Sequence, residues 1–143
     1  MGTSRRIESI YDQPLWASIQ ARAMRLQRCV CCGHFRYPPA PICARCLSDS
    51  AEWLTLQGRG TILSWVIFHR QYFDDFAPPY NAIAVQLAEG PIIVSNLVGV
   101  TPPGDWIGSD VELIYERGGE CLLPRFKLRA QPLIDADRQL AYP

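Results

Sequence analysis

Four of the six cysteines fall into two pairs with metal-ligand spacing. Cys29 and Cys32 enclose two residues, Cys43 and Cys46 enclose two, and ten residues separate the pairs. Two tight turns at this spacing bring four thiolates to the corners of a tetrahedron, which predicts a structural Zn²⁺ site held by Cys29, Cys32, Cys43 and Cys46. A rubredoxin-type iron centre would use the same four sulfurs, and a disulfide is the other use of paired cysteines. Six cysteines in 143 residues without an apolar leader weigh toward metal. Gly33 supplies the positive φ that such a turn often needs. Cys31 is a competing thiol inside the first pair, although spacing makes Cys32 the partner of Cys29. Four thiolates close the coordination sphere, so the metal is not expected to activate water.

Other chemistry is sparse. A thiolase-type reaction needs a nucleophilic cysteine, a base and an oxyanion site. Outside the metal set the chain offers Cys31 and Cys121, with His34 and His69 as its two histidines. No local signature joins any of them, and a Cys121–His69 pair would have to be made by the fold. Gly58-Arg59-Gly60 is too short a glycine run to cradle a phosphate. The expectation is a chain with no catalytic residues of its own.

The elements that position the cysteines can be read from composition. The formal charge is zero overall but uneven: residues 1–50 carry +4 and the remainder −4. No run of about 18 apolar residues exists and the N-terminus has no apolar signal core, so a cytoplasmic soluble protein is expected. After an arm, Asp12-Gln13-Pro14 reads as the start of a short helix over about 14–24. Leu15, Trp16 and Ile19 share one face of it, to be packed on the chain itself or on a partner. The stretch 34–42 is proline-rich and too short for a core, so the ribbon is expected to be held by its metal. At residue 50 the composition turns to alternating β-branched, aromatic and polar residues. Strands are predicted at 52–57, 61–68, 82–87, 92–98, 111–115 and 121–128, with one long loop at 69–80 containing Tyr72, Phe73, Phe76 and Tyr80. Strands of this number, with glycines at the bends, close as a small barrel of OB type, an SH3-like closure being the competitor. The fold class is therefore mainly β, with an N-terminal arm and helix (1–24), a rubredoxin-like zinc ribbon (25–50), a five- to six-stranded OB-fold barrel (51–129) and a C-terminal tail (130–143). An OB barrel with exposed aromatics could stack on single-stranded nucleic acid, but the barrel half is acidic and Asp74 and Asp75 sit in the loop that would approach the phosphates.

Leu26-Gln27-Arg28-Cys29-x-x-Cys32-Gly33, Tyr37-Pro38-Pro39, Cys43-x-x-Cys46, Glu52-Trp53, Gly58-Arg59-Gly60-Thr61, Pro79-Tyr80 and Glu89-Gly90 followed by Ser95-Asn96-Leu97 together resemble a known family. It is the rubredoxin-like zinc ribbon fused to an OB fold, long catalogued as a domain of unknown function and associated with thiolases. The resemblance runs from about residue 14 to about residue 128. Leu47-Ser48 stands where the family commonly has Gly or Ser after the second pair. The resemblance implies a non-catalytic accessory subunit of acyl-CoA chemistry, with a thiolase-like and a hydroxymethylglutaryl-CoA synthase-like subunit as partners. Among such complexes it points to a carbon–carbon acyl transfer on phloroglucinol-type rings, a step in making an antibiotic. Other acyl-CoA thiolase, synthase or aldolase complexes are the alternative. Apolar surface on the helix (Leu15, Trp16, Ile19), the ribbon (Phe35, Tyr37) and the long loop (Tyr72, Phe73, Phe76, Tyr80) is the expected partner contact.

Overall fold

The computed structural model describes residues 8–130; most of the predicted arm and all but the first residue of the predicted tail lie outside them. The helix α1 (Gln13–Gln20) begins with Pro14 in its first turn, where the missing N–H costs nothing. Asp12 precedes it without capping it: its carboxylate accepts from the N–H and Oγ of Ser9, at 2.9 and 2.8 Å. The helix stops short of the predicted residue 24. Arg22 takes a positive φ of 56°, and the Arg25 N–H reaches back to Ser18 Oγ at 2.9 Å, turning the chain into a strand.

That turn leads to β1 (Arg25–Cys29), the centre of a three-stranded antiparallel sheet with β2 (Phe35–Arg36) on one side and β3 (Ala51–Thr55) on the other. The ribbon's sheet thus takes in residues on both sides of the composition change at residue 50, with Leu26 opposite Leu54 and Gln27 opposite Trp53. The second sheet holds β4 (Arg59–Phe68), β5 (Tyr80–Leu87), β6 (Ile92–Ser95), β7 (Asp110–Gly118) and β8 (Cys121–Leu128), in the order β6-β5-β4-β7-β8, all antiparallel. Gly60 allows β4 to approach β5: a Cβ there would lie 2.4 Å from Val85 Cγ1 and 2.8 Å from the Gln86 carbonyl.

This five-stranded sheet curls into an open half-barrel of OB type. Its two edges meet where Leu97 bridges Phe126 in parallel, the Phe126 N–H donating to the Asn96 carbonyl at 3.0 Å and the Val98 N–H to the Phe126 carbonyl at 2.8 Å. Pro124 sits on the same edge of β8 and has no N–H to extend the ladder toward Val94, so the seam opens there. The remaining edge groups of β8 are met by side chains. Ser95 Oγ donates to the Pro124 carbonyl at 2.7 Å, and the Gln20 amide both donates to and accepts from the backbone of Leu122, at 3.0 and 2.8 Å. The helix therefore closes the end of the seam.

One apolar core joins the helix, the ribbon and the barrel: Leu15, Ile19, Met24 and Leu26 belong to the same buried cluster as Ile62, Val85, Val111 and Phe126. This corrects two expectations. Leu15 and Ile19 are only 4% and 1% exposed, so they pack the chain's own core and offer nothing to a partner, while Trp16 is half-buried against that core. The ribbon also does not rely on metal alone, since Leu26 anchors β1 in the shared core. Met24 is further tied to the barrel by its N–H, which donates to Tyr115 Oη at 2.7 Å.

Truncating Ile19 to alanine should lower the stability of the isolated chain by about 2–5 kcal/mol in denaturant titration, the cost of a cavity in a closed core. Tyr115 adds a pH signature. Burial raises its phenol above the usual tyrosine range, with the Met24 N–H acting the other way. The folded state thus favours the protonated form, and this contribution is present below the unfolded pKa of about 10 and lost as pH rises through the folded value. Alkaline titration of stability should show a smaller loss in Tyr115→Phe than in wild type, with Tyr115→Phe less stable by about 1 kcal/mol at neutral pH.

Candidate metal centre

The four paired cysteines converge. The sulfurs of Cys29, Cys32, Cys43 and Cys46 all lie within 4.8 Å of one another, with Cys29–Cys46 at 3.5 Å and Cys32–Cys43 at 3.6 Å. A tetrahedron of Zn–S bonds has edges of about 3.8 Å, whereas a disulfide needs about 2.05 Å, so the cluster fits Zn²⁺ and excludes the disulfide reading. Cys31 stands outside the cluster: it is exposed and its thiol meets Ser48 Oγ at 3.2 Å. Cys29 and Cys43 are buried, so one sulfur from each turn is inward and the other lies nearer the surface.

Each turn folds the same way. The Gly33 N–H bonds the Cys29 carbonyl and the Leu47 N–H bonds the Cys43 carbonyl, both at 2.9 Å. Both closing residues need positive φ, 74° at Gly33 and 62° at Leu47. Leu47 thus holds a conformation suited to glycine, which carries a strain of about 1–2 kcal/mol in an L-residue with a Cβ. The backbone N–H of Cys32, with the Cys46 thiol and the backbone N–H of Cys31, holds the Cys29 thiol down to about 6 against the effect of burial, and the backbone N–H groups of Cys46 and Arg45 lower Cys43. At Cys46 the Ser48 N–H favours the thiolate, but the three neighbouring sulfurs outweigh it and push the thiol up to about 12. Four sulfurs this close cannot all ionise beside one another without a cation, and a divalent ion at their centre removes that conflict.

Arg36 braces the loop between the turns, a role its sequence neighbours do not signal. It is 4% exposed, and among the described residues its hydrogen-bond partners are all backbone carbonyls. Its guanidinium donates to the carbonyls of Ala40 and Pro41 at 3.1 and 3.3 Å, and to those of Ser48 and Ser50 at 2.9 and 3.3 Å. Gln27 assists, its Oε1 accepting the Ala40 N–H at 2.9 Å. A segment with few backbone partners of its own is thereby tied on both sides of the second turn. Arg36 is therefore not available to carboxylates of another chain. Arg28 is also engaged, pairing with Glu52 at 3.2 Å, both side chains being near half exposed.

The fold keeps the remaining reactive residues apart. Cys121 starts β8 at the far end of β7, while His69 follows the last residue of β4; Thr61 pairs with Asp110, and from there β4 and β7 run in opposite directions. A Cys121–His69 dyad is not formed. The aromatics of the 69–80 loop gather on the end of β4 and β5: Phe68 stacks on Tyr80 at 5.0 Å, Phe76 lies 5.5 Å from Tyr80, and Phe73 lies 6.4 Å from Phe76. Tyr72 and Phe73 are 51% and 44% exposed. On the ribbon Tyr37 is exposed and Phe35 is half-buried.

Residues 16–52 match the ChsH2 rubredoxin-like zinc ribbon domain and residues 53–115 the ChsH2 C-terminal OB-fold domain. The structure is similar to that of the Ltp2-ChsH2(DUF35) aldolase, with a TM-score of 0.79 and 30% identity over 87% of this chain and 98% of that one. A probable enoyl-CoA hydratase alpha subunit of Thermomonospora curvata is 35% identical, the match covering 81% of this chain but 37% of the hydratase subunit. A DUF35 domain-containing scaffold protein of Pyrococcus furiosus is 32% identical over 59% of this chain and 63% of its own length. The chain belongs to the DUF35/ChsH2 family, in which a zinc ribbon is fused to an OB fold. It matches scaffold proteins of that family rather than a catalytic fold, and it spans little more than a third of the hydratase subunit.

Elemental analysis of chelator-free protein should find one zinc per chain. Cys43→Ser should lose the metal while the β signal of the barrel persists, and Cys31→Ser should keep the full zinc content. Leu47→Gly, by relieving the strained φ, should raise stability by about 0.5–1 kcal/mol in thermal melts of the zinc-loaded protein, part of the gain being offset by glycine's larger entropy when unfolded.

Proposed function

We propose that this chain is a zinc-stiffened accessory subunit that assembles with a thiolase-family catalytic subunit and contributes no reacting group of its own. The observation that carries this reading is the closed four-cysteine centre fused through one core to a half-barrel: a rigid body whose metal has no open position. The names of its relatives, an enoyl-CoA hydratase alpha subunit, scaffold proteins and an aldolase, support a place beside enzymes of acyl-CoA chemistry. Among the described residues no helix is long and apolar enough to cross a membrane, and the proposed setting is the cytoplasm.

In the finer form of the proposal, the partners are a thiolase-like subunit bearing the nucleophile and a hydroxymethylglutaryl-CoA synthase-like subunit. The reaction is carbon–carbon acyl transfer between phloroglucinol rings, leading to diacetylphloroglucinol. The support for that form is the resemblance to the thiolase-associated zinc-ribbon and OB-fold family. A second reading, assistance to an aldolase acting on a CoA thioester, is favoured by the likeness to the Ltp2-ChsH2(DUF35) aldolase. In either case the proposed contacts are Trp16, Phe35 and Tyr37 near the ribbon and Tyr72, Phe73, Phe76 and Tyr80 on the loop.

Coexpression with thiolase-like and synthase-like subunits, followed by chromatography of acylphloroglucinol products, distinguishes the readings. Acyl transfer only by the assembled complex is the expected result, and aldol cleavage without acyl transfer would favour the second reading. The isolated chain should show no turnover; turnover that disappears in Cys121→Ser would overturn the accessory role.

A further inference from the structure

The outer face of the half-barrel carries no ionisable side chain over most of three strands. Strand register identifies its members. Residues Ile62, Val85, Ile83 and Ile93 point into the core, so their alternates point outward. Val94 lies beside Ala84, which lies beside Ser64, and Ala82 lies beside Val66. Leu63 is the extra residue of the bulge between Ile62 and Ser64 and is 39% exposed. The same face continues through the neighbouring pair Phe68 and Tyr80 into the aromatic loop. At the opposite end Ile92 lies beside Gln86.

The exposure of the large members is high: 72% for Val94, 51% for Ile92 and 46% for Val66. Between Tyr80 and Gln86 the strip is about 20 Å long, and three strands make it about 10 Å across between the outer strand axes. With the loop aromatics it reaches the few hundred Å² that mark an interaction site, and it fits within the roughly 800 Å² that one partner contributes to a stable interface. Small Ala82, Ala84 and Ser64 keep its middle flat.

The charges at the Ile92 end indicate what covers it. Arg59, Thr61, Gln86, Asp110 and Arg129 line a cavity of about 240 Å³ on this end of the sheet. Lys127 is paired with Glu112 at 2.9 Å, and Asp110 accepts from Thr61 Oγ1 at 3.4 Å. No ion pair is formed by Arg59 or Arg129 among the described residues. The border is thus apolar surface next to two unpaired guanidiniums, which complement carboxylates rather than more cations.

We propose that this outward face of β4–β5–β6 is the principal docking surface for the catalytic subunit, whose contacting surface is apolar with carboxylates opposite Arg59 and Arg129. This rests on the accessory-subunit reading above and adds a surface distinct from the helix and ribbon. The strip forms the dry centre of the interface, the loop aromatics extend it, and the two arginines lie at its polar rim.

The test uses the zinc-loaded full chain and a coexpressed thiolase-like subunit. The Val66→Glu/Val94→Glu variant places charges only on exposed positions. It should melt and bind zinc as wild type does, yet bind the catalytic subunit about thirtyfold or more weakly in calorimetry. Arg59→Glu/Arg129→Glu should weaken binding less and reduce its salt dependence. Hydrogen exchange adds a direct readout, because the amides of Ile92 and Val94 point away from β5 and should gain protection only in the complex. Wild-type assembly that the Val66→Glu/Val94→Glu variant matches would overturn the docking surface while leaving the accessory role intact. Failure of wild type to bind any thiolase-family subunit would overturn both. Self-association of the free chain that the same variant abolishes would assign the face to a second copy and overturn the proposed occupant. So would protection of Ile92 and Val94 in the free chain that disappears when residues 131–143 are removed, which would assign it to the chain's own tail.

Discussion

Four sulfurs held within 4.8 Å of one another can all be thiolates only with a cation between them. The segment from Cys29 to Ser50 depends on that requirement: it contains one two-residue strand and two turns closed at positive φ, with the proline-rich loop between them. Metal coordination supplies the long-range tie that a hydrophobic core would otherwise supply. Arg36 supplies a second one by bonding four carbonyls on either side of the second turn. The two are complementary, since the metal fixes the turns and the guanidinium fixes the chain between and after them.

What the metal does not hold is the orientation of the ribbon on the barrel. That depends on Met24 and Leu26, which enter the barrel's core directly, and on α1, whose Leu15 and Ile19 fill the space beside β1 and β8. The Gln20 amide and the Tyr115 hydroxyl add hydrogen bonds where irregular chain meets the edge of the sheet. An edge that would otherwise be available to another strand is thus occupied by the chain itself. The helix is consequently part of the barrel's closure, and a continuous strip of exposed apolar side chains runs along the sheet's outer face.

A stiff body with a closed metal site suits the task of holding other proteins. Every cysteine of the cluster is committed to coordination, and the register separates Cys121 from His69. The surface carries aromatic rings at one end of β4 and β5, arginines that form no ion pair among the described residues at the other, and uncharged side chains between them.

The metal site was legible in the sequence because its information is local: two Cys-x-x-Cys turns and Gly33 specify their own geometry, whereas the thiol left over, Cys31, was set aside only by the structure, which turns it to Ser48. The strands of the half-barrel were legible too, because alternation with a period of two marks a face wherever one side is buried. The end of the helix was not, since Ala21 to Ala23 are good helix formers and the chain turns there through the positive φ of Arg22, the N–H groups of Arg22 and Ala23 donating back to Ile19 and Ser18, and the contacts of Ser18 Oγ and Met24. Nor could sequence decide whether Leu15 and Ile19 met the chain's own barrel or a partner, because an apolar stripe has the same period in both cases. Tertiary structure settled that by bringing β8 alongside the helix, and it settled Arg36 in the same way, since the four carbonyls it bonds become neighbours only when the two cysteine pairs have converged.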